Sequence, residues 1–245
     1  MRRTNTGSNS DVSDPALNAL EVRDIVCQRD AISLRVPHAS FARGVFYLLI
    51  GEPDSGHERL LRVLGLLDAP DAGEVFIEGE SGNALSEDAR LKLRERRLGF
   101  VFAAPFLLPA FTVIENVAMP LFKISDVEPA EARQRSDALL EFVGLFELAE
   151  VPCVELPTLA QHRVSLARAL VNEPAALLIE GLDSALGGDD LRVFAALLRE
   201  AAVRFGIAVI ATVSPNFVRN SGDEVIELRG GVVLCEEPHL PESEA

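Results

Sequence analysis

The sequence predicts an α/β protein with a mostly parallel core sheet and helices on both faces. Three observations predict it. Short apolar runs alternate with longer helical patterns along the chain, the signature of β-α-β units. Val45-Phe46-Tyr47-Leu48-Leu49-Ile50 is a continuous apolar run closing on Gly51, as in a strand buried on both faces. The chain has 245 residues, 48% of them hydrophobic, which suits one large α/β domain or two small ones.

The elements follow in order. Leu20 to Val26 and Ala31 to Val36 read as short strands, and Val45 to Ile50 as the buried strand. Leu60, Leu61, Leu64 and Leu67 then recur at helical spacing. Glu74 to Ile77 reads as a strand. Ser86 is a good N-cap for a charged helix from Glu87 to Arg97, followed by a strand from Leu98 to Phe102. Glu128 to Val143 is amphipathic, with Pro129 in its first turn. Ala160 to Val171 reads as a helix, Ala175 to Ile179 as a buried strand, Asp189 to Phe205 as a helix and Ile207 to Thr212 as a strand. Glu224 to Leu228 and Val232 to Leu234 form a hairpin around Gly230-Gly231. Parallel sheets bind ligands at the carboxyl ends of their strands, so function is expected in the loops after Ile50, Ile179 and Thr212.

Composition narrows the function classes. It excludes a disordered, collagen-like or disulfide-framework chain. The formal charge is -15, from 38 acids against 23 bases. A basic footprint across the surface is therefore missing, and no nucleic-acid partner is expected. Only two bases are lysines, Lys92 and Lys123. Cys27, Cys153 and Cys235 are far apart and odd in number, which points to a reducing cytosol rather than a disulfide or metal framework. The start, Met1-Arg2-Arg3, continues into polar residues and reads as no targeting signal. Apolar runs fall well short of the roughly 20 residues of a spanning helix. Residues 1–18 and 236–245 are expected as polar and acidic tails around a single domain, 19–235. His38, His162 and His239 have no ligand cluster near them in sequence and read as structural or solvent-exposed.

Five stretches in register resemble the ATP-binding cassettes of ABC transporters, closest to the lipoprotein-releasing, macrolide-export and cell-division group. They are Gly-Leu-Leu-Asp-Ala-Pro-Asp-Ala-Gly-Glu-Val (65–75), Arg96 to Phe102, Leu107 to Val117, Arg163 to Leu170 and Asp223 to Leu228. The resemblance runs from about residue 20 to residue 235. It implies an ABC-type P-loop NTPase fold, with an antiparallel β part near the N-terminus and an inserted helical subdomain at about 104–160. It also implies ATP and magnesium as cofactors. The implied partners are a membrane permease subunit and a second cassette, as homodimer or heterodimer. The implied location is cytoplasmic, peripheral on the inner membrane through the permease.

The family's chemistry positions carry unusual residues here. The phosphate loop, G-x-x-x-x-G-K-[ST], cradles phosphate with backbone N–H groups, a lysine and a magnesium-binding hydroxyl. This chain reads Gly51-Glu52-Pro53-Asp54-Ser55-Gly56-His57-Glu58. Both glycines and Ser55 remain. His57, largely neutral at pH 7, replaces the lysine, and Glu58 replaces the hydroxyl. Glu52, Asp54 and Glu58 set three carboxylates against Arg59. Like charges a few ångströms apart repel by on the order of 1 kcal/mol in water and more in a dry site. In the strand that holds magnesium, Glu180 stands for the aspartate and Gly181 for the catalytic base. Gly187 stands for the aspartate that communicates across the dimer. Ala103 replaces the glutamine after the Gly99–Phe102 strand, and Val213 the switch histidine. Arg29 aligns loosely with the aromatic that stacks on adenine, and an arginine can stack on a base too. The signature that closes over the partner's nucleotide is Leu156-Pro157-Thr158-Leu159-Ala160-Gln161. Pro157 removes an N–H there, while Thr158 and Leu159 add bulk where glycine lets backbone approach phosphate.

These residues predict a non-catalytic cassette subunit, a scaffold or regulator on a permease, with no bound nucleotide. ATP and magnesium are the expected cofactors if the family activity persists. The alternatives are an ATPase using displaced residues, with Asp183 or a partner's base and Arg59 or Arg29 on nucleotide, and a free-standing interaction protein. Phe106 to Val117 is either plain core packing or a retained permease surface.

Overall fold

The computed structural model describes residues 18–28, 33–124, 127–220 and 222–234. Arg29, Cys235, His239 and the two expected tails, residue 18 apart, lie outside the described residues. The elements run β1 (Asn18–Cys27), β2 (Leu34–Ala42), β3 (Phe46–Ile50), α1 (His57–Leu64), β4 (Ala72–Ile77) and β5 (Glu80–Ser81). Then come α2 (Glu87–Arg97), β6 (Leu98–Val101), α3 (Val113–Ile124) and α4 (Pro129–Phe142). Two 3-10 turns, Phe146–Leu148 and Cys153–Glu155, lead to α5 (Thr158–Leu170). The chain continues through β7 (Ala176–Ile179), α6 (Leu182–Ala185), α7 (Gly188–Phe205), β8 (Ala208–Val213), β9 (Glu224–Arg229) and β10 (Val232–Leu234).

All strands join one sheet, ordered β5-β4-β1-β2-β10-β9-β3-β8-β7-β6. Its core is parallel: β9, β3, β8, β7 and β6 pair side by side in one direction. The N-terminal part is antiparallel, as β1 pairs with β2 and β4, and β4 with β5. The architecture is the one the sequence implies. β3 explains why its apolar run is unbroken. Phe46, Leu48 and Ile50 enter one core with residues of α3, α4, α5 and α7. Tyr47 and Leu49 enter the opposite core, with α1, β1 and β2. Strand residues alternate faces, and here both faces are covered.

The short β5 and α6 are not in the sequence reading, and two longer elements, β2 and α3, also differ from it. β2 runs on past Val36 to Ala42, because the exposed Pro37 falls opposite Asp24, which is left unpaired at a positive φ of 52°. A proline is tolerated where no ladder bond is required of it. α3 is a helix that the sequence pattern does not mark. Its interior Pro120 breaks the pattern, yet its start carries a capping box. Thr112 Oγ1 accepts the Glu115 N–H at 3.3 Å, and the Glu115 carboxylate accepts the Thr112 N–H at 2.8 Å.

Leu48 is fully buried in β3 between its parallel neighbours. Leu48→Ala is expected to cost about 2–5 kcal/mol of stability. Urea unfolding checks this through a lower midpoint with an unchanged slope.

Candidate functional site

The site lies where the sheet's ends predict, after β3, β7 and β8. β3 hands over to α1 through residues 51–56. Asp54 and Gly56 both take left-handed backbone, with φ of 66° and 96°. The carbonyl of Ser55 accepts the N–H of Gly231 at 2.9 Å, tying the loop to the β9–β10 hairpin.

The loop is filled by its own side chains. Ser55 and His57 are both buried, and Ser55 Oγ lies 2.8 Å from His57 Nδ1 in a hydrogen bond. They sit against Gly51. A Cβ there would meet Ser55 Oγ at 1.8 Å and His57 Nδ1 at 2.9 Å, so only glycine fits beneath the pair. Burial pushes the His57 pKa below its ordinary value, against smaller opposing effects of Glu58 and Asp183. A neutral ring is the form the loop holds. Glu58 is exposed in the first turn of α1, a carboxylate at the positive end of the helix dipole. Glu52 and Asp54 are exposed beside it. The charge of Arg59 acts on both the Cys27 thiol and the Asp68 carboxylate, while burial, the larger effect at Cys27, raises the thiol's pKa.

At the end of β7, Glu180 is half-buried and shares a recess with Arg62 and Phe102. Arg62 grips Asp68 with two hydrogen bonds of 2.7 and 2.9 Å, and Glu180 adds to the field that raises its pKa. Gly181 follows in left-handed backbone, φ 59°. Its N–H donates to Thr212 Oγ1 at 2.8 Å. A Cβ on Gly181 would lie 2.7 Å from Ser184 Oγ and 3.6 Å from the Ala103 methyl. Gly181 thus lies beside Ala103 and the Ser184 hydroxyl, and neither Gly181 nor Ala103 carries a side-chain functional group. Val213 is buried and packed into the core at the end of β8.

Asp183 is the displaced residue expected as a substitute base. The structure commits its carboxylate elsewhere: it accepts the Ser214 N–H at 3.0 Å and the Ser214 hydroxyl at 2.5 Å. With the Gly181–Thr212 bond, this straps the end of β7 to the end of β8. No spacing or motif in the sequence marks Ser214 as the partner of Asp183.

Gly187 is the N-cap of α7, with open space around it. At the start of α5, Pro157 is the N-cap, and Thr158 and Leu159 form the first turn. Leu156 and Ala160 are buried, and the Gln161 amide donates to the Leu156 carbonyl at 2.9 Å. His162, read as structural, is buried between two carbonyls. Its Nδ1 faces Thr158 O at 2.9 Å and its Nε2 faces Ala103 O at 3.1 Å. His38 is exposed, 3.1 Å from Glu21. Among the described residues no histidine, cysteine or acid cluster could hold a metal.

A second surface lies beside the site. Segment 105–111 displays Phe106, 70% exposed, with Leu108 and Phe111, next to Val154 at 66%. Backbone bonds from Cys153 to Phe111 and from Val154 to Pro109 join the two stretches. The buried Asn116 organises them: its amide donates to the carbonyls of Leu108 and Thr112 and accepts the Leu108 N–H at 2.8 Å. Arg168 holds the carbonyls of Pro105 and Phe106 at 2.7 and 2.8 Å, and burial lowers its pKa. Asn116 lies within a quoted motif, but its role as a hub needed the fold to be seen. Core packing accounts for Val113 and Val117, and exposure leaves Phe106 and Phe111 outside that explanation.

The family model described as ABC transporter matches residues 34–183. The chain belongs to the ABC transporter family. Among its relatives is a lipoprotein-releasing system ATP-binding protein, LolD, of Saccharophagus degradans. The two are 35% identical over 200 residues, covering 82% of this chain and 87% of the relative. A macrolide export ATP-binding/permease protein, MacB, of Syntrophobacter fumaroxidans is 33% identical over 227 residues, covering 89% of this chain and 31% of that protein. The fold is similar to that of a dimeric ATP-binding cassette in a post-hydrolysis state bound to ADP and Pi. That similarity has a TM-score of 0.75 at 28% identity, covering 89% of this chain and 97% of the other. This ABC family chain thus has the cassette fold, and no helix among its described residues is long and apolar enough to cross a membrane.

The low His57 pKa has a consequence for stability. In the range below the ordinary histidine value of 6.5, the unfolded chain binds a proton that the folded chain refuses. The His57 contribution is complete above pH 6.5 and is lost as pH falls through the folded-state value. Urea midpoints measured from pH 7.5 down to 5 are expected to decline for the native chain. His57→Gln is expected to show a flatter profile over that window.

Proposed function

We propose that this chain is a cassette subunit that docks on a membrane permease and neither binds nor hydrolyses ATP itself. The observation that carries the reading is the loop after β3, where the Ser55–His57 pair fills the cradle and Glu58 supplies a carboxylate. A phosphate there meets no lysine, a neutral imidazole and three carboxylates. These residues do not fit magnesium-ATP. Glu58 offers no hydroxyl for the metal, and Glu180 shares its recess with Arg62. No catalytic step is derived through the nucleotide.

Hydrolysis also lacks its base. Gly181 has no side chain to position water, and removing a catalytic group costs hydrolases orders of magnitude in rate. The loss extends to the backbone. A glutamate at position 181 would have to adopt left-handed backbone and crowd Ser184, at a cost of roughly 1–2 kcal/mol. Asp183 as substitute base is disfavoured by its bonds to Ser214. The signature remnant would serve a partner cassette poorly, because Pro157 lacks an N–H and Leu159 adds bulk.

The retained part is the docking surface. Phe106, Leu108, Phe111 and Val154 form an exposed apolar face on the helical unit spanning about 104–160, held in shape by Asn116 and Arg168. Exposed apolar faces of this kind mark protein interaction sites. The similarity to LolD and MacB supports a permease of the lipoprotein, lipid or macrolide-export type and a place at the inner membrane. The second cassette of the pair is a copy of this chain or a different one.

Phosphate release from magnesium-ATP, with the chain alone and in the membrane complex, is the test. No release by this chain is expected. Hydrolysis abolished by Glu180→Gln overturns the reading. For the docking face, Phe106→Ser with Phe111→Ser is expected to reduce copurification with the permease at least tenfold while leaving the melting temperature within a few degrees, because both side chains are already solvent-exposed. Full copurification by the double variant contradicts that assignment.

A further inference from the structure

A cleft of about 500 Å³ lies at the end of the sheet opposite the phosphate loop. It opens between α4 and the segments that precede β3, β7 and β8. Its floor is apolar, formed by Leu139, Leu170, Val171, Pro174, Phe205 and Ile207. Its walls carry three guanidinium groups, Arg43, Arg135 and Arg204, and one carboxylate, Glu173. In a chain with 38 acids and 23 bases, guanidiniums outnumber carboxylates among the residues lining this cleft, with Glu78, Glu131 and Glu200 flanking it from outside the lining.

The guanidinium groups are positioned. Arg204 lies over the rings of Phe142 and Phe205, 5.1 and 5.9 Å from their centroids. Arg43 donates to the Gly206 carbonyl at 3.2 Å and pairs with Glu78. Glu78 is shared with Arg97, so one carboxylate serves two guanidiniums. Arg135 pairs with Glu131 along α4. The remaining contacts, Arg135 to Glu173 at 3.8 Å and Arg204 to Glu200 at 3.7 Å, are too long for hydrogen bonds. Exposed pairs of that kind contribute about 0–1 kcal/mol and yield readily to a better acceptor. Guanidinium favours carboxylate and related oxyanions because its planar N–H groups match them in pairs.

We infer that this cleft binds an organic anion with an apolar body, of the acyl- or aryl-carboxylate class, its head on Arg135 and Arg204 and its body on the Leu139–Phe205 floor. The volume falls within the roughly 300–1,000 Å³ of small-molecule sites, which share this mix of apolar lining and a few polar anchors. The occupant would touch α4 on one side and Arg43, Phe205 and Ile207 of the core on the other. It would therefore tie the helical unit to the core, far from the phosphate loop.

Dodecanoate below its micelle-forming concentration is the probe, with dodecanol as the neutral body alone. Binding is read by calorimetry and by thermal shift of the full chain. Dodecanoate is expected to bind one to one and raise the melting temperature, with dodecanol at least tenfold weaker. Arg135→Glu with Arg204→Glu, and separately Ala138→Trp, which fills the cleft and keeps every charge, are each expected to weaken dodecanoate at least tenfold. Circular dichroism of each variant verifies that it folds. Equal binding of dodecanol, unaltered binding by Ala138→Trp, or binding only to phosphatidylglycerol vesicles and not to free dodecanoate overturns the inference.

Discussion

The 2.8 Å hydrogen bond between Ser55 Oγ and His57 Nδ1 organises the end of β3. It lets a titratable ring be buried at the start of α1 without an orphaned Nδ1, which an apolar interior would otherwise penalise by about 1–3 kcal/mol. It also requires glycine at position 51, since any Cβ would collide with it. Glu58 then completes the helix start from within the chain, giving the dipole its negative charge. A loop whose ordinary task is to be completed by an anionic ligand is here completed by its own side chains.

The same self-sufficiency recurs across the sheet's carboxyl end. The Gly181 N–H is satisfied by Thr212 and the Asp183 carboxylate by Ser214, while the His162 ring lies between two backbone carbonyls. Polar groups that could face a ligand are joined to one another. The end of β7 and the end of β8 are thereby held together through side chains rather than through a bound group. By contrast, the apolar face at Phe106 and Phe111 is left exposed although Asn116 and Arg168 hold its backbone in place. Side chains hold the backbone beneath the exposed apolar face, and side chains also link the strand ends at the sheet's carboxyl edge.

Much of this was legible in the residues. The double-sided burial of β3 follows from an apolar run without alternation, and the α2 boundaries follow from Ser86 and a charged helix. The identity of His57, Glu58, Gly181 and Val213 is legible too, because each stands at a position where the chemistry demands another side chain. What the sequence could not convey was direction. Nothing in Asp183 announces that its carboxylate turns to Ser214, which is 31 residues away, and Asn116 reads as any motif polar residue until four backbone and side-chain partners surround it. Local signals were also outweighed. Pro120 masked the helix of α3, although the Thr112–Glu115 capping box marked its start, and Pro37 cut short a strand that continues past it.

The central claim is that the phosphate loop is complete without nucleotide. Equilibrium dialysis of radiolabelled ATP with magnesium against the full chain tests it most directly. The account predicts no saturable binding through the micromolar range. Saturable one-to-one binding at micromolar ATP, lost on Gly51→Val, would contradict it.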